Sequence, residues 1–267
     1  MQEFDSAEII KTIVLPKTIN ETSGLEFYNK NFITHNDSGD GPSLYVFNEN
    51  GDLIKTIDLN KDANFEIENN DWEDIASDDK YLYVADTGNN FGNRSNLNII
   101  RVNKEDDYKV DGIIEILYAD QETFFPRPKH KYDAEAILVI DEQLVLFSKD
   151  RENLNTDLYL VDKFEKAAQK LTSEFDFNVN SLITGGDYKN ELHLLALVSY
   201  NSKGNQYLIL FERFDLENLE ENTFKKYKIP LERAQIESIK IIDKNTFWVT
   251  SEDEGIGNPF MYKLKVK

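Results

Sequence analysis

Residues 73–86 read EDIASDDKYLYVAD, a short apolar segment that starts with an acidic residue, followed by a polar turn and a second apolar segment. Similar pairs occur at residues 135–148, EAILVIDEQLVLFS, and 237–251, ESIKIIDKNTFWVTS. Short segments rich in β-branched and aromatic residues and bounded by Asn, Asp and Gly are typical of strands. One strand pair that recurs along a chain indicates a repeat architecture.

The first strands of five such units recur at intervals of about 50 to 60 residues, a spacing typical of propeller blades, and begin at Ser23, Glu73, Glu135, Thr184 and Glu237. The tail after Glu237 has room for three strands, and the segment from Ile9 to Leu15 supplies a fourth. The pattern predicts a five-bladed β-propeller, a single domain over residues 1–267, closed by its N-terminal strand.

Two alternatives remain open for the fold. Six blades result if the long second unit contains an additional hairpin, and an antiparallel sandwich also has many short strands. A sandwich has no reason to repeat a polar strand start at a fixed interval. The only helical pattern is a short stretch from Asp162 to Leu171.

Composition excludes several classes of function. The 267 residues include 30 basic and 50 acidic side chains, a net charge of −20, 40% hydrophobic residues and no cysteine. This apolar content is too high for a disordered acidic chain. The negative charge disfavours nucleic acid and anionic lipid as partners, because binding of polyanions relies on clustered Lys and Arg. Without cysteine, disulfides and thiolate zinc sites are excluded.

We expect a soluble monomer with no membrane insertion of the chain as given. No apolar run approaches the roughly 20 residues that span a bilayer. The start, MQEFDSAEII, lacks the basic and apolar regions of a signal peptide. Met1 is also compatible with an expression start placed after a removed export signal, so location stays open on these grounds.

The first residues of the inner strands form a ring in a propeller, because inner strands line the central channel. The predicted ring is Ser23, Glu73, Glu135, Thr184 and Glu237, with Ser181 as an alternative to Thr184. Three glutamates in a narrow channel repel one another unless a cation compensates them. Oxygen ligands from carboxylates and hydroxyls suit Ca²⁺, whereas Mg²⁺ requires stricter octahedral geometry. The sequence therefore predicts an axial calcium, against the alternative of glutamates paired with Lys or Arg.

Four local motifs in this ring are similar to those of the calcium-activated nucleotidase (soluble apyrase) family. They are SGLEF at Ser23, WEDIAS around Glu73, DAEAIL around Glu135 and IESIKI around Glu237. The resemblance implies that these four residues hold a central calcium. It does not extend to nucleotidase activity, because the phosphate-handling motifs of that family have no match here.

A second resemblance covers nearly the whole chain. The order ETSGLEF, THNDSGD, DWEDIA, YVADTGNNFGNR, YDAEAI, FSKD and ITGGDY resembles exported or lipoprotein propellers of Bacteroidetes related to the SdiA-regulated and phytase-like esterase families. The resemblance implies a periplasmic, extracellular or outer-membrane lipoprotein location after removal of an export signal. It implies no substrate.

Polar side chains follow the second strand of each unit and are expected at one mouth of the channel, where ligands meet such scaffolds. They are Asp37, Asp40, Asp86, Asn89, Asn90, Lys149, Asp150, Glu252 and Asp253. Ordinary turn chemistry explains each of them equally well.

His35, Asp37 and Asp86 are candidates for proton transfer, while Arg94, Lys149 and Arg151 are candidates for holding an anion.

We expect chiefly a calcium-binding module for an unknown small-molecule or peptide ligand. The second hypothesis is a calcium-dependent hydrolase of phosphate or carboxylic esters, in which metal-bound water attacks. A glycosidase using a carboxylate pair such as Asp37 and Glu135 rests on fold analogy alone. The three histidines are well separated, which disfavours a zinc site.

Overall fold

The computed structural model describes residues 4–61, 66–231, 234–253 and 257–267. In this part of the chain the secondary structure is almost entirely β, with three single-turn 3-10 helices at Lys17–Ile19, Asn190–Leu192 and Leu219–Glu221. None of its helices has the length and apolar character needed to cross a bilayer.

The strands form five sheets, which are the blades of a ring. The N-terminal strands β1 (Asp5–Ser6) and β2 (Glu8–Val14) extend blades 4 and 5. Blade 1 contains β3 (Thr22–Tyr28), β4 (Asn31–Asn36), β5 (Ser43–Phe47) and β6 (Leu53–Asp58). Blade 2 contains β7 (Asp74–Ser77), β8 (Tyr81–Asp86), β9 (Asn98–Asn103) and β10 (Lys109–Tyr118).

The remaining blades follow the same order from the channel outward. Blade 3 contains β11 (Ala134–Ile140), β12 (Gln143–Ser148), β13 (Thr156–Asp162) and β15 (Phe175–Phe177). The strand between the last two, β14 (Gln169–Leu171), pairs with β10 of blade 2. Blade 4 contains β16 (Leu182–Lys189), β17 (Leu194–Tyr200), β18 (Gln206–Glu212) and β19 (Lys225–Ile229). Blade 5 contains β20 (Ile236–Asp243), β21 (Thr246–Ser251), β22 (Phe260–Lys265) and β2.

The five-bladed propeller predicted from the repeat is confirmed. Each inner strand packs against the next, and β20 returns to β3, so the sheets form a closed ring rather than a sandwich. The six-bladed alternative is wrong. The additional length of the second unit lies in the ten-residue strand β10 and in the long connection that follows it.

The helix expected from Asp162 to Leu171 is also wrong. The segment contains bends and then β14. The Asp162 carboxylate accepts the backbone N–H groups of Phe164 and Glu165, at 2.8 and 3.2 Å. Such local bonds offer the backbone an alternative to helical hydrogen bonding.

Both faces of each blade are covered by its neighbours, so the central strands are buried on both sides. Every residue of β8 is buried, for example. Five hydrophobic clusters fill the spaces between adjacent blades. This arrangement explains why the central strands read as continuous apolar runs instead of alternating patterns.

The N-terminal segment closes the ring as expected. Strand β2 pairs antiparallel with β22, with Thr12 opposite Tyr262. Just before it, β1 pairs parallel with β19, with Asp5 opposite Tyr227. One short segment therefore joins blade 4 to blade 5 as well as completing blade 5.

The closing strand allows a matched test of its contribution to stability. We expect Ile13→Ala to lower the free energy of unfolding by about 2 to 4 kcal/mol, because Ile13 is buried between blades 5 and 1. Ile10 in the same strand is 46% exposed, so Ile10→Ala should change stability by less than about 0.5 kcal/mol. Urea unfolding measures both, and equal effects would contradict the assigned register of β2.

Candidate functional site

Three of the predicted ring residues occupy the same structural position, a β-bulge at the start of an inner strand. Glu135 lies between the paired residues Ala134 and Ala136, and Glu237 lies between Ile236 and Ser238. Thr184 occupies the equivalent bulge of β16, whereas Ser181 lies outside it. A bulge bends the strand and re-aims the side chain of its additional residue. The repeat in the sequence therefore corresponds to a repeated local geometry.

The two hydroxyl residues of the predicted ring connect neighbouring blades. Ser23 Oγ in blade 1 donates a hydrogen bond to the carbonyl of Glu73 in blade 2. Thr184 Oγ1 in blade 4 donates to the carbonyl of Ile236 in blade 5, at 2.6 Å. Each hydroxyl thus forms a buried hydrogen bond from one blade to the next.

Five carboxylates converge over blades 1 to 3, and we call this group the acidic cluster: Asp37, Asp71, Glu73, Asp133 and Glu135. Oxygens of Asp37, Asp71 and Glu73 lie within 4.8 Å of one another, as do oxygens of Glu73, Asp133 and Glu135. Glu73 belongs to both groups. The acidic cluster contains two of the predicted ring residues, and neither group includes Ser23, Thr184 or Glu237.

Two basic side chains compensate one side of the acidic cluster. Lys149 Nζ donates to Glu135 Oε1 at 2.8 Å, and both side chains are buried. Arg151 lies 2.8 Å from Asp133 Oδ2 and 3.8 Å from Glu135 Oε1. Within the described ranges no lysine or arginine forms an ion pair with Glu73, Asp37 or Asp71. The compensation is therefore uneven, and Glu73 lies on the uncompensated side.

The pKa values of the acidic cluster reflect this imbalance. Burial, followed by repulsion from Asp71 and Glu135, raises the pKa of Asp37 to about 9. Burial and the neighbouring carboxylates raise the pKa of Glu73 well above its ordinary value. Burial also raises the pKa of Glu135 to about 7, although Lys149 and Arg151 oppose the shift. At neutral pH the site therefore holds protons that exposed carboxylates would release.

Glu237 lies apart from these groups but has a similar environment. Its Oε1 atom is buried and has no hydrogen-bond partner in the part of the chain that the structure describes. Burial raises its pKa well above the ordinary value, with Lys149 opposing the shift. Lys149 is therefore near both Glu135 and Glu237, so two of the three predicted ring glutamates share one cationic neighbour.

Gly88 allows the acidic cluster to pack closely. A Cβ atom at this position would lie 2.1 Å from Glu73 Oε1 and 2.5 Å from Asp71 Oδ2. Only glycine permits this approach, so the backbone of the turn after β8 forms a wall of the site. The Gly in ADTGNN is the feature of the sequence that marks this wall.

Sequence reasoning missed Asp71 and Asp133 as site residues. Both stand two residues before a predicted ring glutamate, in the repeated pattern Asp-x-Glu at 71–73 and 133–135. Asp133 is fully buried and accepts the backbone N–H of Asn89 at 2.6 Å. The repeated pattern at two strand starts was the signal that could have identified them.

Asp86 and Arg94, predicted at the channel mouth, stabilise the turn after β8. The carboxylate of Asp86 accepts bonds from Arg94 at 2.8 Å, from Asn70 at 2.9 Å and from the backbone of Asp71 at 3.1 Å. Asn89 Nδ2 donates to the carbonyl of Tyr132 at 2.8 Å. Asp86 and Arg94 therefore position Asp71 and the wall at Gly88.

Other candidates at the mouth have local partners. Asp40 accepts bonds from Asn36 and Tyr45, and Asp150 accepts the backbone N–H groups of residues 152 and 153. Arg151 donates to the side chain of Asn90. The charge of Glu252 raises the pKa values of Asp37 and Glu237, which places Glu252 near both carboxyls. The backbone N–H of Asp253 donates to the carbonyl of residue 20.

His35 is fully buried and packs edge-on against Trp72, with ring centroids 5.6 Å apart. Burial lowers the pKa of His35 to about 4, so the ring is neutral at physiological pH. A Cβ atom at Gly24 would lie 2.9 Å from its Nε2 atom. The structure thus places His35 inside the wall of blade 1.

Comparison with known proteins shows the fold. No family model and no curated protein matches the chain. A GH43 β-1,3-galactosidase structure with galactodeoxynojirimycin is 11% identical over 97% of this chain and 94% of that chain, with a TM-score of 0.55. A hypothetical protein from Leishmania major is 10% identical over 97% and 91%, with a TM-score of 0.52. A chain of the Mitotic Checkpoint Complex is 9% identical over 100% and 98%, with a TM-score of 0.50.

These structural neighbours are consistent with a β-propeller and carry no activity over to this chain, because identities this low show fold alone. No family match supports the nucleotidase resemblance or the SdiA-regulated and phytase-like resemblance.

The uneven compensation of the acidic cluster predicts opposite effects for two similar substitutions in metal-free buffer. At pH 8, Glu73→Gln should raise the free energy of unfolding by about 1 kcal/mol or more, since each unit of raised pKa corresponds to about 1.4 kcal/mol. Glu135→Gln should lower it by about 3 kcal/mol, because it leaves the buried charge of Lys149 without its ion pair. Chemical unfolding in EDTA measures both, and destabilisation by Glu73→Gln would contradict the assignment.

The raised pKa values also predict how metal-free stability depends on pH. Between pH 4 and 9 the unfolded chain releases protons that folded Asp37 and Glu135 retain. The native state then binds more protons, so stability falls as pH rises through this window. We expect Asp37→Asn to make this decline shallower in unfolding measured at pH 5, 7 and 9. A slope equal to that of the unmodified chain would show that Asp37 ionises normally.

Proposed function

We propose that the protein is a calcium-binding β-propeller, secreted or envelope-associated, that acts as a binding module for a small-molecule or peptide ligand. The observation that carries the proposal is the position of Glu73, which belongs to two groups of converging carboxylates and has no basic partner in the described ranges. The export resemblance of the sequence supports the location.

The charge and the donor chemistry favour Ca²⁺ as the ion. Among the described residues, the five carboxylates of the acidic cluster form ion pairs with two cations, Lys149 and Arg151, so a divalent ion offsets much of the remaining charge. All available ligands are oxygens, and Ca²⁺ accepts six to eight of them in flexible geometry. Zinc prefers nitrogen or sulfur ligands, and neither of the two converging carboxylate groups among the described residues contains a histidine.

The proposed ligands differ in part from the predicted ring. Glu73 is the central ligand, with Asp37 and Asp71 on one side and Asp133 on the other. Glu135 is held by Lys149 and contributes chiefly by orienting that cation. Ser23 and Thr184 donate their protons to backbone carbonyls and keep oxygen lone pairs, so a role in ligation for these two and for Glu237 stays a prediction.

Calcium should stabilise the folded chain by mass action. At a calcium concentration about 100 times the dissociation constant, we expect about 2.7 kcal/mol, which for a protein of this size is a rise in melting temperature of roughly 5 to 10 °C. Differential scanning fluorimetry in EDTA and then in excess Ca²⁺ measures the shift.

Two variants make this calcium test specific. Glu73→Gln should abolish the shift, while Glu212→Gln, a change at an exposed glutamate on the outer part of blade 4, should retain it. The absence of a shift in the unmodified chain, or an undiminished shift in Glu73→Gln, would overturn the calcium proposal.

A calcium-dependent hydrolase of phosphate or carboxylic esters is the second candidate. One observation favours it: Asp37 shares a hydrogen bond with Asp71, and its raised pKa keeps it protonated at neutral pH in the metal-free chain. A protonated carboxyl beside a metal site is suited to act as a general acid. Lys149 and Arg151 lie on the other side of Glu73 and are suited to stabilise an anion.

A substrate panel separates the two candidates. We would assay nucleotides, phytate and carboxylic esters with calcium and with EDTA, using the unmodified chain, Asp37→Asn and the control Glu212→Gln. Calcium-dependent turnover that falls at least about a hundredfold in Asp37→Asn, the contribution typical of a general acid, supports the hydrolase. Calcium stabilisation without turnover of any substrate supports the binding module.

A further inference from the structure

A cavity lies between blades 3 and 4, away from the acidic cluster. It has a volume of 1140 Å³ and is lined by loops that enter or leave the strands of these two blades. The loop after β12 contributes Asn153, the loop before β16 contributes Asn178 and Asn180, and the loop after β17 contributes Asn201 and Asn205. We call this cavity the amide groove.

The charge of the amide groove is opposite to that of the whole chain. Its lining contains Lys203, Lys226 and Lys228 but no aspartate or glutamate in the part that the structure describes. The chain as a whole has a net charge of −20, so a cavity lined by three lysines and no acid is unusual for this composition. A second cavity of 540 Å³ shares Lys203, Asn205 and Lys228 and extends the basic surface.

The amine of Lys226 is held in the amide groove by hydrogen bonds. Its Nζ donates to the carbonyl of Val179 at 2.7 Å and to Ser181 Oγ at 2.8 Å, and it lies 4.3 Å from the centroid of the Tyr207 ring. Because an ammonium group has three donors, one N–H remains for a ligand. No carboxylate in the described ranges pairs with this amine, and burial alone lowers its pKa to about 8.

The remaining lining combines amides with partly exposed aromatic rings. Phe4 and Phe224 line the amide groove and are half-buried, and Phe4 packs edge-on against Tyr207 with centroids 5.4 Å apart. Amide groups donate and accept hydrogen bonds simultaneously, as hydroxyl-rich ligands require. Aromatic faces supply apolar contact area for the carbon skeleton of such ligands.

We propose that the amide groove binds an acidic oligosaccharide, with its carboxylate on Lys226 and its hydroxyls on the surrounding asparagines. The carboxylates of the ligand provide the negative counter-charge that the three lysines lack within the lining, and the amides provide bidirectional hydrogen bonding. A purely anionic ligand explains the lysines but not the amides of Asn178 and Asn180, whereas Asn153, Asn201 and Asn205 also form hydrogen bonds within their own part of the chain.

In the described part of the chain, the amide groove and the acidic cluster share no lining residue, although neighbouring residues of the chain contact each of them. The ring of Tyr200 lies 5.4 Å from Lys149 Nζ, and Tyr200 directly precedes Asn201 of the amide groove. The proposal does not depend on calcium at that cluster, because none of its residues lines the amide groove.

Isothermal titration calorimetry with an oligogalacturonate, in EDTA, tests the proposal. We expect measurable binding to the unmodified chain and a loss of affinity of at least about tenfold in Lys226→Met, since a hydrogen bond to a charged group contributes about 1.5 to 3 kcal/mol. Lys225→Met is the matched control: Lys225 is adjacent in sequence, is 65% exposed and pairs with Glu212. It should bind as the unmodified chain does.

Further arms separate the alternatives. A neutral oligosaccharide of the same length should bind at least about tenfold more weakly, and inorganic phosphate should not compete at millimolar concentration. If Lys226→Met unfolds, the exposed pair Lys203→Ser and Lys228→Ser should still weaken binding. Three results would each overturn the saccharide proposal. They are absence of binding, equal binding in Lys226→Met, and competition by phosphate that is lost in that variant. Glu73→Gln should leave this binding unchanged even if the calcium proposal fails.

Discussion

Pairing of the N-terminal strand β2 with the C-terminal strand β22 is the constraint on which the rest of the structure depends. It places β20 of blade 5 beside β3 of blade 1, so that five inner strands surround one channel. The strand β1 reinforces the closure by pairing with blade 4. Convergence of the inner strands follows from this closure, and so does the crowding of the side chains at their first residues.

Crowding gives the acidic cluster its chemistry. A glutamate on an open sheet would be solvated and ionised, whereas Glu73 is buried among other carboxylates and its pKa is raised well above the ordinary value. Lys149 and Arg151 stabilise the blade 3 side of the cluster. The uncompensated side is where a divalent cation would replace protons, which links the proposed calcium affinity to the predicted fall of metal-free stability with pH.

Much of the fold and part of the site were predictable because they depend on local pattern. Strands, blade number and closure follow from apolar runs and their spacing, and three of the five repeated strand starts, at Glu135, Thr184 and Glu237, lie in equivalent bulges. Asp71 and Asp133 were missed because an acidic residue just before a strand is ordinarily a turn residue. Asp86 and Arg94 were predicted at the mouth, but they satisfy each other in supporting a turn.

The sequence by itself determined the blade repeat, the polar residue at the start of each inner strand and the excess of negative charge. These properties are encoded by residue type and spacing along the chain. Only the tertiary structure decided which carboxylates meet and which are compensated. Glu135 pairs with Lys149, which follows β12 beside the inner strand of its own blade, whereas Glu73 has no Lys or Arg ion pair among the described residues. The surroundings of the Lys226 amine, which pairs with no carboxylate in the described ranges, likewise depend on segments brought together from blades 3 and 4.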